Sequence, residues 1–391
     1  MSSTLHLHPE APVESSGVIE WRARIEGAGD APPHIWFRTP EQHHEHLAHA
    51  GDAFVIATLF HAMRKGLDLR LHAPVSPGLL RNLDEFQYAW SQWKPHVYRR
   101  IAIEADGETR EDFQGLDRVL TAFSRGLDSC FTAWRHAGPE PDCARRNLDS
   151  AVMVHGLDIR LNEPEVFQRA AAMNREMLAS LGIELITVAT NFRELNDDWD
   201  DAHGAAVACS LHAMGRRHSA GLLPGTHAYE ALRFPFGSNP LTDPMMASDA
   251  FAIHYDGAGF GRSARAKAVA HWPEAMRLMR VCWAGAHRDR NCGACIKCVS
   301  TCMCFAAQRL PFPSSIPVGD LATAIRGLMH EPLNPFGLLR MRERLAIARA
   351  NGIDEPWLAL GEHWARREAR TQRNQWIRDT LFRHLRAMMG R

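Results

Sequence analysis

The chain has 391 residues, enough for two or three domains at roughly 100–200 residues each. Its 45 basic and 45 acidic residues cancel, which argues against a general nucleic-acid or membrane-surface binder, because such proteins carry a net positive field. Hydrophobic residues at 46% and charged residues at 23% exclude a disordered chain.

Residues 1–16 read as a flexible tail. The start has neither a basic n-region nor an apolar h-region. No apolar run approaches the roughly 20 residues that a membrane helix needs. The expectation is a soluble, cytoplasmic protein with no membrane partner. Residues 17–112 form a mixed segment, expected as an α+β domain. Stretches 18–25 and 34–38 have strand character, 41–65 reads as one helix, and 67–72 as a short strand. Ser76 can cap a helix that carries Leu79, Leu80, Leu83, Phe86 and Trp90 at helical spacing. Residues 98–104 alternate like a strand. The tract Gln42-His43-His44-Glu45-His46 has metal-ligand side chains, but it reads as a solvated helix start.

From Arg118 strands and helices alternate, which implies a parallel sheet. Strands are predicted at 119–123, 151–155, 183–189, 221–223 and 252–255. Helices are predicted at 128–136, 163–181 and 202–217. Beyond residue 309 the chain reads as helical to its end, with an arginine-rich, amphipathic last segment.

Two motifs carry chemistry. The first is Ser124-Arg125-Gly126-Leu127-Asp128-Ser129, where a strand ends and a helix starts. Backbone N–H groups and the positive dipole end of such a helix suit a bound phosphate. Gly126 permits a turn and close approach to the anion. Ser124 and Ser129 can donate hydroxyl hydrogen bonds, and Asp128 can cap the helix or position Mg2+. No Walker A pattern occurs here.

The second motif is in the cysteines. Nine occur, and six of them (Cys282, Cys292, Cys295, Cys298, Cys302 and Cys304) fall within 282–304. That crowding points to a metal site in a reducing compartment. Cys282, Cys292, Cys295 and Cys298 suit a closed four-cysteine zinc site. Cys292, Cys295, Cys298 and Cys302 have the C-x2-C-x2-C-x3-C spacing of an iron–sulfur ligand run. Spacing alone leaves both open.

The hexapeptide resembles the Ser-Gly-Gly-x-Asp-Ser signature of PP-loop ATP pyrophosphatases, with Arg125 in place of the first glycine. If that position needs a positive φ, arginine costs roughly 1–2 kcal/mol there; if not, its guanidinium can add a phosphate contact. Val281-Cys282-Trp283, Asn291-Cys292-Gly293, Cys295 and Cys298 resemble the zinc motif of 7-cyano-7-deazaguanine synthases, members of the same superfamily. That resemblance favours zinc over iron–sulfur. It covers residues 117–308, about half the chain, and the flanking segments lie outside it.

The resemblance implies a doubly wound parallel α/β sheet of the PP-loop type over 113–308, preceded by the α+β domain and followed by a helical region over 309–391. It implies ATP and Mg2+ as ligands, with Ser124, Arg125, Gly126, Leu127, Asp128 and Ser129 around the phosphates. Gly225, after the fourth strand, matches a glycine where backbone meets nucleotide. Lys267, one of only four lysines, lies where such enzymes carry a phosphate-neutralising lysine, so Asp128 and Lys267 are the expected catalytic residues. The implied reaction adenylates a substrate carboxylate or amide oxygen, releasing pyrophosphate, for attack by a nitrogen nucleophile. The acceptor is a small molecule or a macromolecule, and a homo-oligomer is expected. The alternatives are sulfur transfer after adenylation, through Cys130 or a cluster thiol or with an iron–sulfur cluster, and a nucleotide-binding protein without turnover. Residues 234–243 are expected to line a substrate pocket.

Overall fold

The computed structural model describes residues 4–27, 29, 31–48, 50–109, 117–140, 144–196, 198–282, 284–285 and 288–389, the side chains of 380–389 excepted. The expected domain boundary at 112 falls outside the described residues. The chain divides into two compact units, Met1–Gly261 and Arg262–Arg391. The division lies inside the expected 113–308 domain and leaves the cysteine cluster in the second unit.

In the first unit the elements run β1 (Thr4–Pro9), β2 (Val13–Ser15), β3 (Val18–Glu26), β4 (His34–Pro40), α1 (Asp52–Lys65), β5 (Asp68–Val75), α2 (Pro77–Trp93) and β6 (Ile103–Glu108). They continue with β7 (Val119–Ala122), α3 (Leu127–Ala137), β8 (Leu148–His155), α4 (Pro164–Ala179), β9 (Glu184–Thr190), α5 (Phe192–Leu195), α6 (Trp199–Ala213), β10 (Ala220–Pro224) and β11 (Ala252–Asp256). All eleven strands belong to one sheet of order β11-β10-β7-β8-β9-β4-β3-β1-β5-β6, with β2 on β3. Strands β7 to β11 pair in parallel. The pairs β9/β4, β4/β3 and β3/β1 are antiparallel, and β1/β5 and β5/β6 are parallel again. The architecture is a mixed α/β fold with a mostly parallel, Rossmann-like sheet.

Two expectations about the N-terminal region are corrected. Residues 4–9 and 13–15 are strands rather than a flexible tail, and Leu5 and Leu7 alternate onto the core face and are fully buried. Ser16 and Gly17 both take positive φ and close a tight turn between β2 and β3. The N-terminal strands lie in the same sheet and the same compact unit as β7 to β11. Strand β4 completes the backbone pairing of β9 through Phe37↔Thr190 and Arg38↔Ala189, which removes an open edge from both halves. The stretch 41–65 is not one helix. A 3-10 turn at Glu41–His46 is followed by a break before α1.

Strand β6 begins at Ile103. Tyr98, expected in that strand, is buried and donates its hydroxyl to Asp201 Oδ2 at 2.8 Å, and the Lys94 ammonium pairs with the same carboxylate. The expected cap Ser76 does not accept from its own helix. Asp249 does so instead, taking the Gly78 N–H at 2.7 Å and the Ser76 hydroxyl at 2.8 Å.

Burial explains the layering. Helix α1 is apolar around its circumference, with Ala53 to Met63 buried. It packs against α6, whose Gly204, Ala205, Ala208 and Cys209 are small and buried. At Gly204 an added Cβ would lie 2.0 Å from the Gly237 carbonyl oxygen, so only glycine allows that backbone approach.

The second unit contains α7 (Arg262–Val269), α8 (Pro273–Leu278), α9 (Ile296–Ala306), α10 (Leu321–Leu328), α11 (Pro335–Ala350) and α12 (Pro356–Met389). This matches the helical reading beyond residue 309. Asp320 and Asn334 cap α10 and α11 by accepting the Thr323 and Gly337 N–H groups, each at 2.7 Å. Trp357 and Trp364 bury the start of α12. No described helix is long and apolar enough to cross a membrane.

Candidate functional site

The parallel strands β9-β8-β7-β10-β11 reverse their sequential order at β7, which has β8 on one side and β10 on the other. In open α/β sheets, ligands bind outside the carboxyl ends of the strands at such a reversal. Residues 124–129 are the connection that leaves β7 there. Thr121 Oγ1 ties β7 to β10 by donating to Leu222 O at 3.1 Å. The buried Asn174 of α4 fixes the strand end by donating to Phe123 O at 3.2 Å.

The left-handed residue of the turn is Arg125, with φ 62°. Gly126, to which the turning role was expected to fall, is the N-cap of α3 in an ordinary extended conformation. The Arg125 side chain is 1% exposed and its Nη1 lies 3.1 Å from Met173 Sδ on α4. The guanidinium is therefore buried against α4. Ser129 Oγ donates to Gly126 O at 3.1 Å and accepts the Ser124 N–H at 3.3 Å. Ser124 Oγ accepts the Gly126 N–H at 3.4 Å. Ser124 is exposed, Asp128 half-buried and Ser129 buried. The Cys130 thiol is fully buried and points at the Arg125 carbonyl, 3.4 Å away; burial pushes its pKa well up. Such a thiol is a poor nucleophile or sulfur carrier.

Asp256, at the end of β11, was not singled out from sequence. It accepts from Thr132 Oγ1 at 2.7 Å, Arg135 Nη1 at 2.8 Å and His136 Nε2 at 3.1 Å, anchoring α3 to the sheet. His136 Nδ1 accepts the Arg146 N–H, which leaves Nε2 as the donor. Burial opposes ionisation of Asp256, but the His136, Thr132 and Arg135 contacts outweigh it and hold the pKa below the usual range. Only the strand-terminal Asp-Gly pair at 256–257 hinted at the position. Gly225 is fixed by its neighbours: a Cβ there would lie 2.4 Å from the Tyr255 ring and 2.7 Å from the Asp256 carbonyl oxygen.

Residues 236–243 form an internally bonded turn. Asn239 Oδ1 accepts the Leu241 and Thr242 N–H groups at 3.0 and 2.9 Å. The fully buried Asp243 accepts from Ser238 Oγ at 2.6 Å and from the Asn239 N–H at 3.1 Å. Burial pushes its pKa up to about 7 against these two bonds.

In the second unit, the thiols of Cys282, Cys292, Cys295 and Cys298 all lie within 4.8 Å of one another. The Cys292 N–H donates to Cys282 Sγ at 3.2 Å and the Cys295 N–H to Cys292 Sγ at 3.3 Å, the pattern of a thiolate knuckle. Gly293 provides the turn at φ 76°; a Cβ there would meet the Pro317 carbonyl oxygen at 2.3 Å. Asn291 holds the two segments in register. Its Oδ1 accepts the Val281 N–H at 2.8 Å, and its Nδ2 donates to Met279 O at 2.7 Å and Ser315 O at 2.9 Å. A hydrogen bond from the Cys298 thiol lowers the Cys295 pKa to about 5 against the effect of burial.

Cys302 is buried one turn further along α9 and is not part of this group. Cys304 Sγ accepts from the buried Arg344 Nε at 3.2 Å. Trp283, quoted for the family motif, and Cys143 lie outside the described residues. Lys267 is exposed on α7, in the second unit.

The tract 42–46 departs from its expected solvated state: His43 and His46 are buried. Comparison with protein-family models, with curated proteins and with solved structures returned no match.

Proposed function

We propose that the chain is an ATP-dependent, AMP-forming enzyme of the PP-loop pyrophosphatase class, on a doubly wound α/β sheet, with a structural zinc ion in its second unit. One observation carries the reading: the 124–129 turn leaves β7 where the strand order reverses and runs straight into the N-terminus of α3. The left-handed conformation of Arg125 supports it, because a glycine is suited to that same position in the family signature.

In this reading the first-turn N–H groups of α3 and the Ser124 and Ser129 hydroxyls bind the ATP phosphates. Asp128 would hold Mg2+. A carboxylate or amide oxygen of the acceptor attacks the α-phosphorus. The bond to the β-phosphate bridging oxygen breaks, and its electron pair leaves with pyrophosphate. A nitrogen nucleophile then adds to the activated carbon, loses a proton and expels AMP. Positioning and charge stabilisation dominate both steps. The burial of Cys130 favours nitrogen over sulfur carried on that residue.

Cys282, Cys292, Cys295 and Cys298 would hold the zinc. Four Zn–S bonds of about 2.3 Å place tetrahedral sulfurs roughly 3.8 Å apart, and the Cys292 and Cys298 sulfurs are 4.0 Å apart. Four-thiolate sites are closed, so the ion supplies folding energy rather than an open coordination position. The test is release of AMP and pyrophosphate from ATP with carboxylate acceptors and ammonia. Formation of ADP, or binding without turnover across acceptors, overturns the reading.

A further inference from the structure

We infer that His43, His46 and Glu184 form a second site for a divalent transition-metal ion, in the first unit and independent of the proposed ATP chemistry. The two histidines come from the 3-10 turn after β4, and Glu184 is the first residue of β9. Sequence separates them by some 140 positions, and the antiparallel β4/β9 pair brings them together.

One ligand atom from each of the three lies within 4.8 Å of the others. His43 Nδ1 is 3.4 Å from Glu184 Oε1, and His46 Nε2 is 3.6 Å from Glu184 Oε2. Both separations exceed a good charge-assisted hydrogen bond of about 2.7–2.9 Å. They approach the roughly 3.3–3.5 Å between nitrogen and oxygen ligands sharing one ion at about 2.0–2.2 Å. The two carboxylate oxygens face different rings, Oε1 towards His43 and Oε2 towards His46.

Orphaned nitrogens give the second, independent observation. His43 and His46 are 3% and 6% exposed, and the Nδ1 atom of each lacks a hydrogen-bond partner. Leaving His43 Nδ1 unmatched costs free energy that a bound cation recovers; at His46 the atom facing Glu184 is Nε2, so the ion does not match its Nδ1. At His43 the orphaned atom is the one aimed at Glu184. The Gln42 side-chain Nε2 lies 3.2 Å from His43 Nε2, and the amide's oxygen and nitrogen are interchangeable by a flip. With its oxygen turned to the ring it accepts the Nε2–H, which leaves the Nδ1 lone pair for the ion.

His218 stacks on His46 with ring centroids 5.6 Å apart, and its Nε2 lies 2.9 Å from Asp149 Oδ1. This backs the site with a second histidine–carboxylate pair. Glu184 is half exposed, so an ion can enter from solvent. Two imidazoles and a carboxylate suit zinc or a neighbouring divalent transition metal, not calcium or magnesium. The site lies at the amino ends of the parallel strands, whereas the 124–129 loop leaves a carboxyl end, so the ion has a structural role in pinning the 3-10 turn to the sheet.

The test is Zn2+ stoichiometry on the full chain after chelation, by competition with a chromophoric chelator, with Co2+ absorbance as a second readout. Wild type is expected to take up one equivalent more than Glu184→Gln or His43→Gln/His46→Gln. The thiolate-to-cobalt band of the cysteine cluster is expected to be the same in all three. Glu184→Gln is the variant that keeps folding out of the question, since the residue is half exposed, and its circular dichroism is compared with wild type. Equal Zn2+ uptake by wild type and a folded Glu184→Gln protein overturns the site and leaves only a histidine–carboxylate ion pair. Loss of AMP formation from ATP in the same variants would not rescue it, so this result and the proposed function stand or fall separately.

Discussion

The backbone N–H of Cys292 donates to Cys282 Sγ across 3.2 Å, joining two thiols ten positions apart in the chain. That bond selects Cys282, rather than Cys302, as the fourth member of the cluster. Replacing Cys282, Cys292, Cys295 or Cys298 by serine should therefore lower bound zinc by one equivalent per chain, and Cys302→Ser should leave it unchanged. Elemental analysis with an absorbance spectrum checks this. A brown protein with iron–sulfur absorbance, lost in Cys302→Ser, would contradict it.

Arg125 combines a strained backbone with a fully buried side chain. Arg125→Gly relieves roughly 1–2 kcal/mol of left-handed strain. It also removes the buried stem and its packing on α4, where large-to-small core changes cost roughly 2–5 kcal/mol. The net expectation is a less stable protein with a lower denaturant midpoint. Its KM for ATP should stay near the wild-type value, because the guanidinium is buried and lies against Met173 of α4. A large rise in KM at unchanged stability would mean that the side chain serves the phosphates directly.

Gly225→Ala should destabilise the protein by roughly 1–3 kcal/mol, the usual cost of overpacking, since the new methyl group meets the Tyr255 ring and the Asp256 carbonyl. Chemical denaturation reads this directly. Gly225→Ala/Tyr255→Ala should recover part of the loss, and failure to recover any would implicate the carbonyl contact instead.

Asp243 gives a pH signature. Its folded pKa of about 7 lies above the ordinary 3.8, so the unfolded chain gives up its proton first as pH rises. The contribution is full below pH 4 and is lost progressively towards pH 7, a swing on the order of 4 kcal/mol. Asp243→Asn, which keeps an acceptor for the Asn239 N–H and lets the amide donate to the Ser238 hydroxyl, should flatten this slope. Urea midpoints of both proteins from pH 4 to 8 check it; parallel curves would show that Asp243 is ionised in the fold throughout.

Local patterning determined much of this protein. Strands β7 to β11 and the helices between them follow from alternation of buried runs with 3.6-residue periodicity, because each element's pattern is set by which of its own faces meets the core. The 124–129 loop and the cysteine knuckles were legible for the same reason: each is a short contiguous segment whose chemistry depends on its neighbours in sequence. What only the tertiary structure decided are the pairings between distant segments. Leu5 and Leu7 sit in a sheet instead of a tail because β3 and β5 offer them partners. The left-handed turn falls on Arg125 because α4 supplies a buried place for its side chain. Asp249 takes over the capping role of Ser76 from 171 positions away from Gly78. Glu184 turns a histidine tract that reads as solvated into a buried cluster because β4 and β9 happen to be sheet neighbours. Sequence encodes the face that each element must bury, and long-range register, which joins groups with no local signal for one another, appears only when those faces are assembled.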